Sequence, residues 1–168
     1  MTPPPDFSAR LAAERTRFLH EHPRSVALAQ AAQAHFLFGV PLHWMRDWPT
    51  PATLFVREAR GVTLTCADGL AYADFCLGDT GAMFGHSPPP LAHALAEQAA
   101  RGLTCMLPAD HTPEVGALLA QTFGLPMWQM ALTASDANRF VLRWARAITR
   151  RPQLLVFDGC YHGAVDDT

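Results

Sequence analysis

The chain has 168 residues, a formal net charge of −2 and 17% charged residues, against about 25% in typical domains, which indicates surface that contacts more protein. A slightly acidic chain without clustered basic residues lacks the electrostatic footprint of a protein that binds nucleic acid or an anionic membrane. No apolar run approaches the ~20 residues of a membrane span and the first residues do not form a signal peptide, so we expect a cytoplasmic protein without nucleic-acid or membrane partners.

The N-terminal residues 1–52 are predicted to form a helical arm. Asp6 or Ser8 is expected to cap a first helix, and Ser25 a second, alanine-rich helix. The segment 40–51 contains two tryptophans and three prolines, and it is predicted to be irregular and partly buried.

Residues 53–80 are predicted to form a small antiparallel β meander. Asp68 and Gly69 lie between two alternating segments, and Asp-Gly is a strong hairpin signal because glycine accepts the positive φ of the turn. The Gly- and Pro-rich loop that follows is too polar and kinked to be a core element. The three predicted strands are Thr53–Arg60, Val62–Cys66 and Ala71–Phe75.

From residue 81 onward, helices and strands are predicted to alternate. Two strands of continuous apolar residues flank an amphipathic helix, an order typical of a βαβ unit in a parallel sheet that is buried on both faces. Such sheets bind ligands just beyond the carboxyl ends of their strands. The predicted helices are Pro90–Arg101, Pro113–Phe123, with Thr112 as its cap, and Asp136–Arg150; the predicted strands are Trp128–Leu132 and Leu154–Phe157.

The first candidate site lies just before the last of these helices. The three small residues Thr133, Ala134 and Ser135 bring the backbone close to a ligand above the helix start, where free N–H groups and the helix dipole favour a phosphate. The Ser135 hydroxyl can add a hydrogen bond. The alternative is an ordinary cap, in which Ser135 satisfies N–H groups of its own helix.

The second candidate site follows the last predicted strand. Tyr161, followed by His162 and Gly163, can place its ring over the same crevice, where stacking on a planar heteroaromatic ring contributes roughly 0.5–1.5 kcal/mol beyond area burial. The alternative is a tyrosine that packs on the sheet edge. Together, the two motifs predict one site for an anionic, ring-shaped ligand.

Other constellations are weaker. Cys160 and His162 lie two residues apart, a spacing at which a nucleophile and a base rarely face each other. His162 can be drawn with Asp166 and Asp167 as metal ligands, but a loop terminus is a weak scaffold. The four cysteines form no Cys-x-x-Cys pair, so we expect reduced thiols and no metal site.

Four motifs of this chain occur together in one known family. They are Cys66-Ala-Asp-Gly-Leu-Ala-Tyr-Ala-Asp74, Gly85-His-Ser-Pro88, Thr133-Ala-Ser-Asp-Ala-Asn138 and Gly159-Cys-Tyr-His-Gly163. In this order they resemble the class III pyridoxal-phosphate-dependent aminotransferases, and within them the glutamate-1-semialdehyde 2,1-aminomutase-like branch. The resemblance implies an α/β protein with the N-terminal part of the fold type I (aspartate aminotransferase-like) transferase fold, including N-terminal helices and a small antiparallel meander.

The resemblance also implies roles for individual residues. Thr133, Ala134 and Ser135 fall where the family's loop holds the phosphate of the cofactor pyridoxal 5'-phosphate, although Ala134 replaces a glycine. If that position needs positive φ, the Cβ costs on the order of 1 kcal/mol. Tyr161 falls on the aromatic residue that stacks against the pyridine ring, and His162 on the neighbouring histidine.

Partners are implied in the same way. Arg46 lies where related enzymes sometimes place an arginine that binds the substrate carboxylate, and an ordinary surface arginine is the alternative. Family members act on small amino-acid substrates and form homodimers, with the loop 79–86 on the substrate side and near the dimer interface. Residues 81–168 are then the N-terminal part of an incomplete cofactor-binding large domain.

The chain lacks the residue that the family's chemistry requires. Family members attach the cofactor to a Schiff-base lysine, whereas all 13 basic residues of this chain are arginines. We therefore assign no catalytic residue, and whether the chain is an enzyme stays open. It resembles the N-terminal portion of an aminotransferase or aminomutase. The alternatives are a non-catalytic binding or interaction protein that retains a similar pocket, and an inactive truncated gene product.

Overall fold

The structure is a computed structural model that describes residues 6–165. They divide into two compact units, with the boundary between Leu103 and Thr104. The first unit holds α1 (Phe7–Glu21), α2 (Pro23–Ala32), two 3-10 turns (Leu37–Gly39 and His43–Asp47), β1 (Val56–Arg60), β2 (Thr63–Cys66), β3 (Ala71–Ala73) and α3 (Pro89–Arg101). The second unit holds α4 (Thr112–Phe123) and α5 (Ala134–Thr149).

The two N-terminal helices begin in different ways. Asp6 caps α1 through bonds from the N–H groups of Ser8 and Ala9, as predicted. Ser25 does not cap α2, because that helix already begins at Pro23 and Ser25 lies buried in its first turn. Since proline has no N–H and the preceding residue offers no side-chain cap, the free N–H groups of this turn bind a carboxylate from elsewhere in the unit.

That carboxylate is Asp68, in the hairpin turn of the meander. Its Oδ1 accepts from the Arg24 N–H at 2.7 Å, and its Oδ2 accepts from the Ser25 N–H at 3.1 Å and the Ser25 hydroxyl at 2.5 Å. Burial by itself raises the pKa of Asp68, but the bonds from the Ser25 hydroxyl and the two backbone N–H groups outweigh it, so the pKa lies below its ordinary value. The hairpin therefore holds the helical arm.

The predicted antiparallel meander is confirmed. β2 pairs with β1 on one side and β3 on the other, and Gly69 has φ +89 in the turn between β2 and β3. β3 ends at Ala73 rather than at Phe75. The Asp74 carboxylate accepts the N–H groups of Cys76 and Leu77 and so turns the chain away from the sheet.

The helix starts of the second unit differ from the prediction by one or two residues. α4 begins at Thr112 and its N-cap residue is His111, so Thr112 is not the cap. α5 begins two residues before Asp136 and is capped by Thr133, whose hydroxyl accepts the Asp136 N–H. The small-residue motif therefore forms the first turn of a helix.

The two predicted parallel strands were wrong for this part of the chain. Residues 128–132 and 154–157 have no strand assignment, and within residues 6–165 the only sheet is the meander. A strand exists only when a neighbour shares its backbone hydrogen bonds, and none lies beside either segment in the described structure. Leu132 is fully exposed and Leu155 is 90% exposed.

Few apolar side chains are buried in either unit. Among the described residues, the buried hydrophobic side chains are Val40 and Cys66 in the first unit and Val165 in the second. The described helices include none that is long and apolar enough to cross a membrane. The same residues contain no group of three potential metal ligands, and the metal set with Asp166 and Asp167 lies outside them. The four cysteines are free, with Cys66 buried and the others exposed.

Candidate functional site

The start of α5 has the features of an anion site. The N–H groups of Ala134 and Ser135 donate to no acceptor among residues 6–165, and both lie at the positive end of a 16-residue helix. Free N–H groups in that position bind phosphate readily. Ala134 is absent from the residues with positive φ, so the Cβ that replaces the family's glycine causes no backbone strain here.

The hydroxyl groups of this turn already have protein partners. The Thr133 hydroxyl donates to Asp136 Oδ2 at 2.9 Å and accepts from the Asp136 N–H at 3.1 Å, the role of an ordinary cap. The Ser135 hydroxyl oxygen accepts from the Ala164 N–H at 3.0 Å. Ser135 therefore does not bind the N–H groups of its own helix; its oxygen is used by the second motif, and its proton remains available to a ligand.

The second motif docks on the first turns of α5. Besides the Ala164–Ser135 bond, the Asn138 amide donates to the His162 carbonyl oxygen at 2.8 Å. Gly163 has φ +92, and a Cβ at this position would collide with the Ser135 side chain. The structure thus brings the two sequence motifs together, and Gly163 is what allows the close approach.

Tyr161 and His162 are presented differently. Tyr161 is 84% exposed, so its ring is not packed within the described part of the second unit. The Nε2 atom of His162 is buried and has no hydrogen-bond partner among those residues. Most buried polar atoms in proteins have a partner, so this nitrogen is an exception within the described residues.

Arg46 lies in the first unit, in the 3-10 turn His43–Asp47. Its guanidinium lies 3.9 Å from the centre of the Phe38 ring and 3.1 Å from the Asp47 carboxylate. Trp44 and Trp48, two residues to either side of it, contact each other edge to face. The side chain is half exposed, and its Nε donates to the Asp47 carboxylate.

Two polar pairs of the first unit were missed by sequence reasoning. His22 is 1% exposed; its Nδ1–H donates to the Phe18 carbonyl at 2.7 Å, and its Nε2 lies 2.5 Å from the Tyr72 hydroxyl. Burial raises the pKa of Tyr72, which keeps this hydroxyl protonated. The residues of a pair lie up to 50 positions apart, and no local pattern signals such a contact.

The second missed pair is Asp74 with His86, whose Nε2 lies 2.6 Å from Asp74 Oδ2. The hydrogen bond from His86, followed by the Leu77 N–H, holds the pKa of Asp74 below its ordinary value. Both residues belong to motifs that the sequence singled out, in the hairpin and in the Gly-His loop, but the sequence did not indicate that they contact each other.

The family model for "Aminotransferase class-III" matches residues 44–168. This chain belongs to the class-III aminotransferase family. Its curated relatives include the glutamate-1-semialdehyde 2,1-aminomutases of Thermoplasma volcanium, 32% identical over 84% of this chain, and of Desulfovibrio desulfuricans, 39% identical over 67% of it. Family enzymes depend on pyridoxal 5'-phosphate, and solved relatives include a transaminase with PLP bound.

Solved structures confirm the fold class. A glutamate-1-semialdehyde aminomutase from Pseudomonas aeruginosa PAO1 matches 92% of this chain with TM-score 0.87 and 50% identity. A β-phenylalanine aminotransferase from Variovorax paradoxus matches 94% of it with TM-score 0.85 and 26% identity. The described elements are thus the N-terminal part of the fold type I transferase fold. The chain spans about a third of the length of the curated relatives it matches, 34% and 27% for the two named above.

Proposed function

We propose that this chain is the N-terminal portion of a pyridoxal-phosphate-dependent aminotransferase or aminomutase of the glutamate-1-semialdehyde aminomutase-like branch. Family membership and similarity to the named aminomutases support the proposal. The observation in the chain itself that carries it is the contact between the start of α5 and the turn that bears Tyr161.

In this proposal the start of α5 holds the cofactor phosphate. The N–H groups of Ala134 and Ser135 donate to the phosphate oxygens, and the Ser135 hydroxyl adds a third donor. The helix dipole favours the negative charge at the same place. Thr133 acts through its cap, which sets the conformation of the first turn, because its hydroxyl is bonded to Asp136.

Tyr161 and His162 are proposed to contact the cofactor ring. The exposed ring of Tyr161 is available to stack on a planar heteroaromatic ring. The Nε2 of His162 is buried and has no partner within residues 6–165, so it is free to bond a polar group of the bound cofactor. When bound, pyridoxal phosphate supplies an electron sink for negative charge on the substrate. The residues of this chain bind and orient it; none of them is a lysine that could attach it.

The substrate, the assembly and the location are further parts of the proposal. We infer a small amino acid or amino ketone as the substrate of the complete enzyme, with Arg46 as a contact for its carboxylate, a homodimeric assembly and a cytoplasmic location. The names of the relatives support this substrate class, and a solved variant of the Pseudomonas aeruginosa aminomutase is in complex with PMP. The domain limits 1–52, 53–80 and 81–168 also remain predictions.

A second candidate function rests on the absence of lysine from the 168 residues. A protein that holds pyridoxal phosphate or a similar anion without attaching it is a binding or interaction protein. An inactive truncated product is expected to bind neither pyridoxal phosphate nor a similar anion. Binding of the free cofactor by the 168-residue chain therefore separates a binding protein from an inactive product.

The test is a titration of the 168-residue chain with pyridoxal 5'-phosphate, followed by tryptophan fluorescence. We expect weak, saturable binding that gives no borohydride-reducible adduct on a side chain. Ser135→Ala should weaken binding about tenfold, since a charge-assisted hydrogen bond is lost. Tyr161→Ala should weaken it about fivefold to tenfold through lost stacking.

Matched controls come from the same unit. Thr122→Ala removes a hydroxyl that bonds its own helix, and Phe157→Ala removes a ring that is 73% exposed; neither should change the affinity by more than about twofold. If Ser135→Ala and Tyr161→Ala bind pyridoxal 5'-phosphate as tightly as their control variants do, the proposed binding site is contradicted. An adduct on a side chain would contradict the assignment of this chain as lacking the attachment group.

A further inference from the structure

A shielded hydrogen bond between Asp74 and His86 lies at the base of the loop between β3 and α3. The side chains of Asp74 and His86 are 7% and 20% exposed, and they meet at 2.6 Å across the eleven residues 75–85. A carboxylate only accepts hydrogen bonds, so the proton of the contact sits on His86 Nε2. Asp74 thereby fixes both the tautomer and the orientation of the imidazole.

The backbone beside this pair is tied to the turn between β1 and β2. The His86 N–H donates to the Gly61 carbonyl at 2.8 Å, and the Gly61 N–H donates back to the His86 carbonyl at 2.9 Å. The Ser87 hydroxyl donates to the Ala59 carbonyl at 3.1 Å. Gly85 has φ +86, and a Cβ there would lie 3.2 Å from the Gly61 Cα, so this end of the loop is fixed close to the turn.

The other end of the loop is held by the same carboxylate. Asp74 Oδ1 accepts the N–H groups of Cys76 and Leu77 at 2.9 and 3.0 Å, while Oδ2 binds His86. One side chain therefore joins the first and the last part of the loop. Oδ1 binds the start of the loop and Oδ2 binds its end.

Beyond its base, the loop has few supports. Its hydrogen bonds among the described residues are local turns, such as Ala82 N–H to Leu77 O. Phe75 and Phe84 are 96% and 95% exposed, so neither ring anchors the loop by packing. The conformation of the loop is then decided at its base rather than along its length.

We propose that Asp74 and His86 are positioning residues that hold the loop 75–85 in one conformation; their hydrogen bond is called the latch of the loop. The relevance of this latch to a substrate rests on the proposed function, in which the loop lies on the substrate side. The latch itself is a property of the first unit and does not depend on cofactor binding.

The test is hydrogen–deuterium exchange of the 168-residue chain, resolved to the loop and to the meander. His86→Ala should speed exchange of the amides of residues 76–85 about tenfold or more, since a charge-assisted bond is lost, and should leave β1–β2 amides within about twofold. His86→Gln keeps an N–H donor near the position of Nε2 and should restore most of the protection. Asp74→Asn should act in the same direction as His86→Ala.

The control is His93→Ala on α3, which removes an exposed histidine paired with Glu97 at 3.3 Å and should leave the loop unchanged. The proposal is contradicted if the loop amides exchange at the same rate in His86→Ala and in the wild type. It is also contradicted if they exchange as fast in His86→Gln as in His86→Ala. Should His86→Ala unfold the meander, nitrogen NMR of the wild type decides: the Nε2–H tautomer is expected, and the Nδ1–H tautomer overturns the proposal. Failure of pyridoxal phosphate to bind contradicts the proposed function and leaves these outcomes unaffected.

Discussion

The two units of this chain complete their interactions to different degrees. In the first unit, the carboxylate of Asp68 binds the free N–H groups of α2, His22 lies against the Tyr72 hydroxyl, and Asp74 binds His86. Its three strands pair with one another. In the second unit, two helices form, but the segments 128–132 and 154–157 have no strand partner among the described residues.

The apolar face of α5 shows the same contrast. Val141, Trp144 and Ile148 are 65%, 70% and 75% exposed, although the helix is strongly amphipathic in sequence. A helix makes its backbone hydrogen bonds within itself, whereas a strand makes them with a neighbouring strand. The apolar face of a helix still needs other elements to cover it, and that packing supplies most of a helix's stability. The comparison therefore separates structure that is local from structure that requires more protein.

The largest expected effect concerns this uncovered surface. We predict that the 168-residue chain self-associates through its second unit, because contiguous exposed apolar surface and unpaired strands are sites of association. The double substitution Trp144→Glu with Ile148→Glu should reduce the associated fraction markedly in light scattering and analytical ultracentrifugation.

Arg143→Glu on the same helix is the control, since it changes the net charge by the same amount and removes no apolar surface. The prediction is contradicted if the wild-type chain is monomeric and unfolds in one cooperative transition. It is also contradicted if Arg143→Glu reduces the associated fraction as much as the double substitution does.

The next effect concerns the tertiary contact between the two site motifs in the second unit. Gly163→Ala should displace the turn from α5, because the new Cβ meets Ser135 in addition to the positive-φ strain of ~1 kcal/mol. Exchange of the Ala164 amide, which donates to Ser135, should become at least about tenfold faster.

Gly159→Ala separates the two causes. Gly159 also has positive φ, +76, but no atom lies within 4 Å of a Cβ built on it. Gly159→Ala should therefore introduce the positive-φ strain alone, and the exchange rate of the Ala164 amide should stay within about twofold of the wild-type rate. If both substitutions speed Ala164 exchange to a similar extent, the close contact between Gly163 and Ser135 is not what keeps the turn docked on α5.

The smallest effect is a pH dependence confined to the first unit. The pKa of Asp68 is lowered on folding from its ordinary value of 3.8, so the folded state binds its proton less readily than the unfolded state. The stability that this group contributes is present above pH 3.8 and is lost as the pH falls through the lower folded-state pKa. Asp68→Asn should therefore lower stability at neutral pH and flatten the acid limb of the unfolding curve.

This effect is measured by urea unfolding between about pH 2 and pH 7, followed by circular dichroism. The parent protein is the Trp144→Glu, Ile148→Glu variant, in which self-association is expected to be reduced. Asp110→Asn, at a side chain that is 97% exposed, is the matched control and should leave the acid limb unchanged. An acid limb identical in Asp68→Asn and its parent would remove Asp68 as the source of the dependence.

Local features of this chain were predictable because their causes lie within a few residues. Asp6 caps α1, the Asp-Gly hairpin forms, and small residues open α5, each through bonds to neighbours in sequence. The family motifs were likewise readable, and the family model and the solved relatives bear out the fold class. The largest errors depended on distant residues: Ser25 was expected to cap a helix that Asp68 caps from the hairpin, and two apolar segments were expected to be strands. Smaller errors of one to three residues lay at element ends, such as Thr112, which is the first residue of α4 and not its cap.

The sequence by itself thus determined the helices, the meander, the family and the two site motifs, since periodicity, turn chemistry and motif order are written locally. Only the tertiary structure decided that Gly163 docks against Ser135, that the Nε2 of His162 is buried without a partner among residues 6–165, and that Asp74 closes a loop through His86. The Asp74–His86 bond and the Ala164–Ser135 bond beside Gly163 join residues 12 and 29 positions apart. Their formation depends on how whole elements pack, which no window of neighbouring residues encodes.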